Sequence, residues 1–279
     1  MITGAHVRSH GVRLRGLATG LVAIAMVSGL SACGSSSSGG SAAPAGRPLV
    51  GLFRLTPGRA VGAHITGTWF RMLQPNGTVA AGPYMVNANS HADGGRVTLL
   101  KPGTSGGLRT AGYQTQPKRA FDSGGNSLAN AIVAPTEFFG VRFSISTNEF
   151  DPQTKTKVPP PTVLDDNGKL TANLAAWAAS WNKQNFNQGA PKPVTGTGAN
   201  APGQQDAERA FDWVSHKFLG GAPKATVTGD GATGTYDATT GAFVLTWTSH
   251  IVGGPFNGFT GLWHLEGVFE PGSASPTGP

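Results

Sequence analysis

The chain has 279 residues with a net charge of +7, but only 13% of its residues are charged. It contains 42 glycines, 20 prolines and a single cysteine, which excludes an internal disulfide framework and a cysteine-based metal site. Basic residues do not cluster beyond Lys118-Arg119, so we expect no nucleic-acid partner.

The N-terminal segment has the pattern of a secretory signal peptide. Arg8, Arg13 and Arg15 precede residues 17–30, an apolar run without charge. This run is shorter than the ~20 residues that a membrane-spanning helix needs. Residues 34–41 are serine and glycine only, the composition of a flexible linker.

The end of the apolar run, Leu30-Ser31-Ala32-Cys33, resembles the lipobox of bacterial lipoprotein precursors. The resemblance implies that the thiol of Cys33 is alkylated with diacylglycerol, that the chain is cut before this residue, and that the new amino group is often acylated. Two or three acyl chains give stable anchoring. The resemblance therefore implies a membrane partner, reached through the N-terminal acyl anchor, and a location on the extracytoplasmic face of the cell membrane.

The predicted domain organisation follows from this anchor. It has a signal peptide at 1–32, a lipidated flexible tether at 33–47, one globular β-rich domain at 48–271 and a disordered tail at 272–279. A β domain of this length can bury a sizeable core.

Short apolar runs separated by glycine and proline predict many strands, as in a sandwich or barrel. Residues 139–145 alternate apolar and polar side chains, which is typical of a strand. Residues 74–77, Gln-Pro-Asn-Gly, predict a turn. Further strands are expected at 49–55, 65–72, 84–86, 97–100 and 234–236.

Two segments have the spacing of amphipathic helices. Leu170, Leu174, Trp177 and Trp181 would share one face of a helix at 170–186. A second helix is expected at 204–218, with Ala207, Phe211, Val214 and Phe218 on its apolar face, and a shorter one at 126–134. The predicted fold class is therefore α+β, mainly antiparallel β, with two amphipathic helices packed on the sheet.

The last two predicted strands, 243–251 and 262–269, form the candidate site. If their loop centres near residue 257, His250 lies opposite His264 and Thr248 faces Glu266. Two imidazoles and a carboxylate on one patch indicate a metal site or a proton-sensitive patch. Alternatively, His250, His264 and Glu266 form a half-exposed polar face with a His–Glu hydrogen bond, which the neighbouring threonines favour.

No other motif indicates catalysis or a cofactor. Residues 103–107 resemble the nucleophile loop of chymotrypsin-like proteases but lack its aspartate, and His64 and His91 lack the context of a catalytic base, so we interpret the loop as a turn. The pair His91 and Asp93 is interpreted as a turn stabilised by Asp93. No glycine-rich loop follows a strand as nucleotide cofactors require, so no cofactor is expected.

Five tryptophans leave two interpretations open. Their spacing predicts core packing for most of them, and an exposed aromatic cleft is the alternative. The set is Trp177, Trp181, Trp213, Trp247 and Trp263.

The functional prediction is a non-enzymatic module that binds a small apolar or saccharide ligand, or an envelope partner. The alternative is a hydrolase acting on envelope lipid or glycan. A deep pocket lined by a buried ionisable group would favour the enzyme. A filled core with an exposed apolar groove would favour the binding module.

Overall fold

A computed structural model describes residues 46–153, 155, 157–192, 211–212, 217–218, 231–251 and 255–272. Within these residues the chain folds into antiparallel strands that form a large sheet of eleven strands, a small sheet of six strands and a separate two-stranded hairpin. The strands, in chain order, are β1 (Arg47–Pro48), β2 (Gly51–Leu55), β3 (Arg59–Val61), β4 (His64–Thr66), β5 (Trp69–Thr78), β6 (Gly82–Tyr84), β7 (Thr98–Leu99), β8 (Gly107–Arg109), β9 (Thr136–Phe138), β10 (Val141–Thr147), β11 (Thr162–Asp166), β12 (Lys169–Asn173), β13 (Trp177–Trp181), β14 (Gln184–Asn187), β15 (Phe211–Asp212), β16 (Lys217–Phe218), β17 (Ala232–Tyr236), β18 (Ala242–His250) and β19 (Thr260–Pro271).

The large sheet curls into a half-barrel with the strand order β1-β11-β12-β17-β18-β19-β2-β8. Strand β19 also pairs with β5, which in turn pairs with β6 and β7. The small sheet has the order β16-β15-β14-β13-β10-β9, and β3 and β4 form the separate hairpin.

Strand β19 holds the large sheet together because it changes partner along its length. Its first part pairs with β5 and its last part with β2, while β18 runs along its other edge. At the fork, the backbone oxygen of Glu266 accepts a hydrogen bond from the Thr56 amide, and its carboxylate accepts one from the Gly67 amide at 2.9 Å. A Cβ at the next residue, Gly267, would clash with the backbone oxygen of Arg54, so glycine permits this close approach.

The core lies between the two sheets. Trp177 of the small sheet meets Trp247 and Trp263 of the large sheet edge to face, with ring centroids 5.2 and 5.6 Å apart. All three rings are at least 95% buried. Aromatic pairs in this arrangement contribute about 0.5–1.5 kcal/mol beyond the burial of their surface.

The β-rich, antiparallel part of the predicted fold agrees with the structure, but the helix predicted at 170–186 is wrong. This segment contains β12, β13 and β14. Asn182 and Lys183 both have positive φ, as in a tight hairpin turn, and they connect β13 to β14. The apolar residues of 170–186 are buried because alternate residues of the strands face the core, so their helical spacing is coincidental.

The other predicted helices also fail where the structure describes them. The second, at 204–218, falls mostly outside the described residues, but Phe211–Asp212 and Lys217–Phe218 are paired strands, with Phe211 opposite Phe218. The segment 126–134, where the shorter helix is expected, is irregular, with isolated bridges that pair Ser127 with Phe121 and Val133 with Pro102.

Helical structure in the described residues is limited to the 3-10 turn Ala92–Gly95. No helix in this part of the chain is long and apolar enough to span a bilayer. The turn predicted at 74–77 lies within β5, where Asn76 has a positive φ and the pairing with β6 shifts register.

Candidate functional site

The structure separates the two histidines that the sequence placed opposite each other. In the β18–β19 hairpin His250 pairs with Thr260, and His264 pairs with Thr246. The pairing is centred at residue 255, two residues before the predicted centre. This shift preserves which side chains face the core, so the apolar pattern could not distinguish the two registers.

His264 lies on the outer face of the large sheet, on the ring of Trp69. The two rings are stacked with centroids 4.7 Å apart and planes 5° apart. Burial lowers the pKa of His264, and the carboxylate of Glu266, 3.5 Å from Nε2, opposes that shift. The His–Glu contact of the polar-face interpretation is thus present, without His250.

His250 has different neighbours at the end of β18. Its Nδ1 lies 2.9 Å from Oγ1 of Thr260, and its backbone oxygen accepts a hydrogen bond from Nζ of Lys192. Lys192 also donates to the backbone oxygen of Asn187, so its ammonium group links the ends of the two sheets. Across the described ranges, no group of three or more His, Cys, Asp or Glu side chains is placed to hold a metal ion.

The remaining sequence motifs have structural roles in the described chain. Asp93 forms ion pairs with Arg71 at 3.1 Å and Arg96 at 2.6 Å. The loop at 103–107 is a turn held to the backbone of Asn130 and Ala131.

The prediction of core packing is confirmed for Trp177, Trp181, Trp247 and Trp263, which are all at least 91% buried. The side chain of Trp213 lies outside the described residues. Trp69, which was not in the predicted set, is half-buried on the outer face of the large sheet. There the guanidinium of Arg71 lies 5.2 Å from the ring of Trp69 and 4.9 Å from that of Tyr84.

The distinctive feature of the core is a cavity of about 40 Å³ between the two sheets, near the end of β18; we call it the aromatic cavity. Its surface is entirely apolar. Seven aromatic rings supply most of the wall, and no titratable side chain lines it. The lining residues are Phe70, Met72, Phe138, Phe143, Ala179, Trp181, Phe186, Gln188, Ile251, Phe256 and Trp263.

Phe256 forms the outer wall of the aromatic cavity. It belongs to the turn 255–258 and packs against Trp181 at 5.2 Å and Phe138 at 5.8 Å between ring centroids. The turn is attached to the end of β18 through hydrogen bonds between Ile251 and both Gly258 and Phe259. Phe256 is only 8% exposed, so its ring is a buried part of the cavity wall.

Phe139 lies at the rim, next to this wall. Its ring centroid is 4.8 Å from that of Phe138 and 6.0 Å from that of Phe256, yet Phe139 is 39% exposed. Its φ of +51° is left-handed, which is unfavourable for a bulky side chain. The carboxamides of Asn87 and Asn89 accept hydrogen bonds from the amides of Phe139 and Gly140 and hold this turn.

The one polar residue of the lining, Gln188, turns its polar atoms away from the cavity. Its Oε1 accepts a hydrogen bond from the indole of Trp263, its Nε2 donates to the backbone oxygen of Asn187, and its own backbone oxygen accepts one from Trp247. A Cβ at Gly261 would clash with this Oε1, so Gly261 leaves the space that Gln188 fills.

The sequence did not predict this cavity, although two residues of its lining, Trp181 and Trp263, belong to the predicted set of tryptophans. The alternating pattern predicts that Phe139 begins a strand, whereas the structure places Phe139-Gly140 in the turn between β9 and β10 and buries Phe138. Gly140 directly after Phe139 is the feature of the sequence that indicates a turn here, since glycine is typical of tight hairpin turns.

Comparison with known proteins assigns neither a family nor a function to this chain. Neither the family models, the curated proteins nor the solved structures contain a match to the chain.

Proposed function

We propose that the protein is a binding module of the cell envelope that takes the hydrocarbon part of a lipid into the aromatic cavity. The observation that carries this proposal is the entirely apolar, aromatic-lined surface of the cavity between the two sheets. Ligand pockets are predominantly apolar and aromatic, and dry apolar cavities bind apolar molecules because such surfaces compete poorly for water.

The volume indicates how the ligand enters. At about 40 Å³ the cavity is far below the ~300 Å³ of a typical ligand pocket. A hydrocarbon chain therefore needs more room than this cavity offers, and an outward movement of the ring of Phe256 would add the volume of that ring. Phe139 lies beside Phe256 and offers an exposed ring against which the displaced ring or the emerging chain can pack.

The backbone of Phe139 supports the same proposal. An aromatic side chain in the left-handed region costs ~1–3 kcal/mol and persists only when its surroundings or its function require it. The hydrogen bonds that the amides of Phe139 and Gly140 donate to Asn87 and Asn89 hold the turn, but a smaller residue at 139 would donate equally well. Contact between the exposed ring and a lipid that enters the cavity would explain why residue 139 is a phenylalanine.

The envelope location is part of the proposal and rests on Leu30-Ser31-Ala32-Cys33. Lipidation of Cys33 would keep the module at the membrane surface, where its ligand is abundant. A Cys33→Ser chain is expected to leave the membrane fraction or to remain uncleaved, and an inhibitor of the lipoprotein signal peptidase should cause the uncleaved precursor to accumulate. A Cys33→Ser chain that is processed and sediments with membranes like the wild type would refute the anchor.

The ligand site is tested by filling it. Ala179 lines the aromatic cavity, and Ala179→Leu places additional methyl groups in that space. We expect native mass spectrometry of the full chain, released from detergent, to show a bound lipid on the wild type and at least tenfold less on the variant. The free energy of unfolding should be unchanged or higher by about 0.5–2 kcal/mol, as is common when a cavity is filled.

A matched control separates filling from general disturbance. Ala172 is also a buried alanine, but it does not line the cavity. Ala172→Leu should lose ~1–3 kcal/mol through overpacking and still carry lipid. Equal lipid occupancy of the Ala179→Leu variant and the wild type, or absence of lipid from the wild type, would contradict the proposal.

A further inference from the structure

A buried lysine lies where the ends of the two sheets meet. Lys192 is only 5% exposed, although lysine is among the residues least often buried. Its Nζ atom donates a hydrogen bond to the backbone oxygen of Asn187, the last residue of β14, at 3.2 Å. It donates another to the backbone oxygen of His250, the last residue of β18. This ammonium group therefore connects one strand end of each sheet.

One of these two bonds acts on the backbone that holds a wall of the aromatic cavity. The turn 255–258 carries Phe256, and we call it the Phe256 turn. It is attached to β18 through Ile251, whose amide donates to a backbone oxygen at 2.7 Å and whose oxygen accepts from a backbone amide at 2.9 Å. The Ile251 amide belongs to the same planar peptide group as the His250 oxygen, so the bond from Lys192 orients both atoms.

The other bond connects Lys192 to a packed part of the core. The amide of Gln188, in the peptide group of the Asn187 oxygen, donates to the backbone oxygen of Trp177 at 3.0 Å. The indole of Trp247 donates to the backbone oxygen of Gln188 at 2.9 Å. Both tryptophans are buried between the sheets. Lys192 therefore ties the attachment of the Phe256 turn to backbone that is itself held in the core.

We propose that Lys192 is a positioning residue that holds the Phe256 turn against the aromatic cavity and thereby limits how often this wall moves outward. Burial of an ammonium group is costly unless hydrogen bonds satisfy it. An apolar side chain would remove that cost but could not donate to either carbonyl, so the donor role accounts for a lysine at this position. Segments held by fewer bonds open more often. On the basis of the proposed function, Lys192 then also sets the rate at which a lipid enters and leaves.

Hydrogen exchange of the full chain in detergent, read residue by residue, tests the positioning role. Lys192→Met keeps the length of the side chain and removes its ammonium group. We expect the amides of Ile251, Gly258 and Phe259 to exchange about tenfold faster than in the wild type, since their local opening becomes more frequent. Lys192→Arg keeps a positively charged donor and should restore exchange to within about threefold of the wild type. Lys192→Gln, which is shorter and neutral, is a second variant with the same expected direction as Lys192→Met.

The matched control disturbs another part of the large sheet. Ala172 is buried in β12, and Ala172→Leu overpacks its surroundings without changing the cavity lining. This variant should show the reverse pattern, with faster exchange in the β11–β12 hairpin and unchanged exchange at the Phe256 turn. Equal acceleration of the Phe256 turn in Ala172→Leu and Lys192→Met would show only general destabilisation and would overturn the proposal.

The effect on ligand exchange is measured with cis-parinaric acid, a fluorescent fatty acid, released from the loaded full chain into an excess of oleic acid. Release should be about fivefold to tenfold faster from Lys192→Met than from the wild type, because the wall opens more often. The amount bound at saturation should be unchanged, because the lining is the same. Lys192→Arg and Ala172→Leu should release the probe at close to the wild-type rate.

The two proposals fail in different ways. A wild type that binds no cis-parinaric acid contradicts the lipid function, and hydrogen exchange then still decides whether Lys192 holds the Phe256 turn. The positioning role is overturned if the three amides exchange at the wild-type rate in Lys192→Met, or if Lys192→Arg does not restore their protection. Unchanged release of the probe, together with faster exchange of these amides, would overturn the role of Lys192 in ligand entry and exit.

Discussion

Where β13 pairs with β10 and β14, both faces of the small sheet are buried, but the side chains of the two faces are chemically opposite. The face toward the large sheet carries big apolar rings, and the other face carries small polar side chains under the loops. All of these residues are at least 91% buried. The inner set is Phe143, Trp177, Trp181 and Phe186, and the outer set is Ser144, Ser146, Ser180, Asn185 and Asn187.

The outer face is stabilised by specific hydrogen bonds. The hydroxyls of Ser127 and Ser180 lie 2.6 Å apart, and Ser144 donates to the backbone oxygen of Val133. Small side chains let the covering segments approach closely enough for such bonds. The inner face is stabilised by the burial of apolar surface. Truncation of a large buried apolar side chain therefore lowers the free energy of unfolding more than the loss of one hydrogen bond does.

The largest expected effect is on the inner face. Trp177→Ala removes a fully buried indole and leaves a cavity against Trp247 and Trp263, so we expect a loss of about 3–5 kcal/mol in the free energy of unfolding. Urea unfolding measures this. Trp177→Phe is the control and should lose less, since the indole nitrogen of Trp177 has no partner in the described chain. A loss below about 1 kcal/mol for the alanine variant would contradict the importance of the inner face.

An intermediate loss in the free energy of unfolding is expected for a change on the outer face of the small sheet. Asn187 donates to Oδ2 of Asp151 at 2.7 Å and accepts from the Gly189 amide at 3.0 Å. Asn187→Ala leaves this buried carboxylate without that donor, so we expect a loss of about 1–3 kcal/mol in urea unfolding. Gln184→Ala on the same strand is the control, since its buried Oε1 has no partner to lose. A loss as large as that of Trp177→Ala would contradict the expectation that the inner face contributes more to stability than the outer face.

The smallest effect concerns the outer face of the large sheet, which is only half-buried. Burial lowers the pKa of His264 in the folded protein. The unfolded chain therefore binds a proton at His264 more readily than the folded protein does. Neutral His264 thus contributes fully to the free energy of unfolding above the ordinary histidine pKa of about 6.5, and this contribution falls as the pH drops below that value.

His264→Phe keeps a ring on Trp69 and removes the titration. Its free energy of unfolding should decline less than that of the wild type between pH 7 and pH 5, as measured by urea unfolding at each pH. Identical slopes for the two proteins would show that His264 does not contribute.

Part of the fold could be predicted from the sequence because alternation is a local property. The strands predicted at 243–251 and 262–269 correspond to β18 and β19, with Phe243, Leu245 and Trp247 facing the core as expected. The same reasoning failed at 170–186, where a three-strand arrangement mimics helical spacing. Asn167-Gly168, a typical hairpin turn between β11 and β12, was the local signal that pointed to strands there.

The candidate site depended on contacts that no local pattern encodes. The aromatic cavity joins Phe70, Trp181 and Phe256 from three distant parts of the chain. The sequence did not predict this site, because an alternating pattern states which face a residue occupies and does not state which residues lie across from it.

The sequence by itself determined that the described chain would be β-rich, which residues of the last hairpin turn inward, and that most of the tryptophans belong to the core. Only the tertiary structure decided the pairing of His250 with Thr260, the strands in place of a helix at 170–186, and the burial of both faces of the small sheet around β13. The physical reason is that a register shift of an even number of residues leaves each side chain on the same face of its strand. Which residues pair across two strands depends instead on how the whole sheets pack.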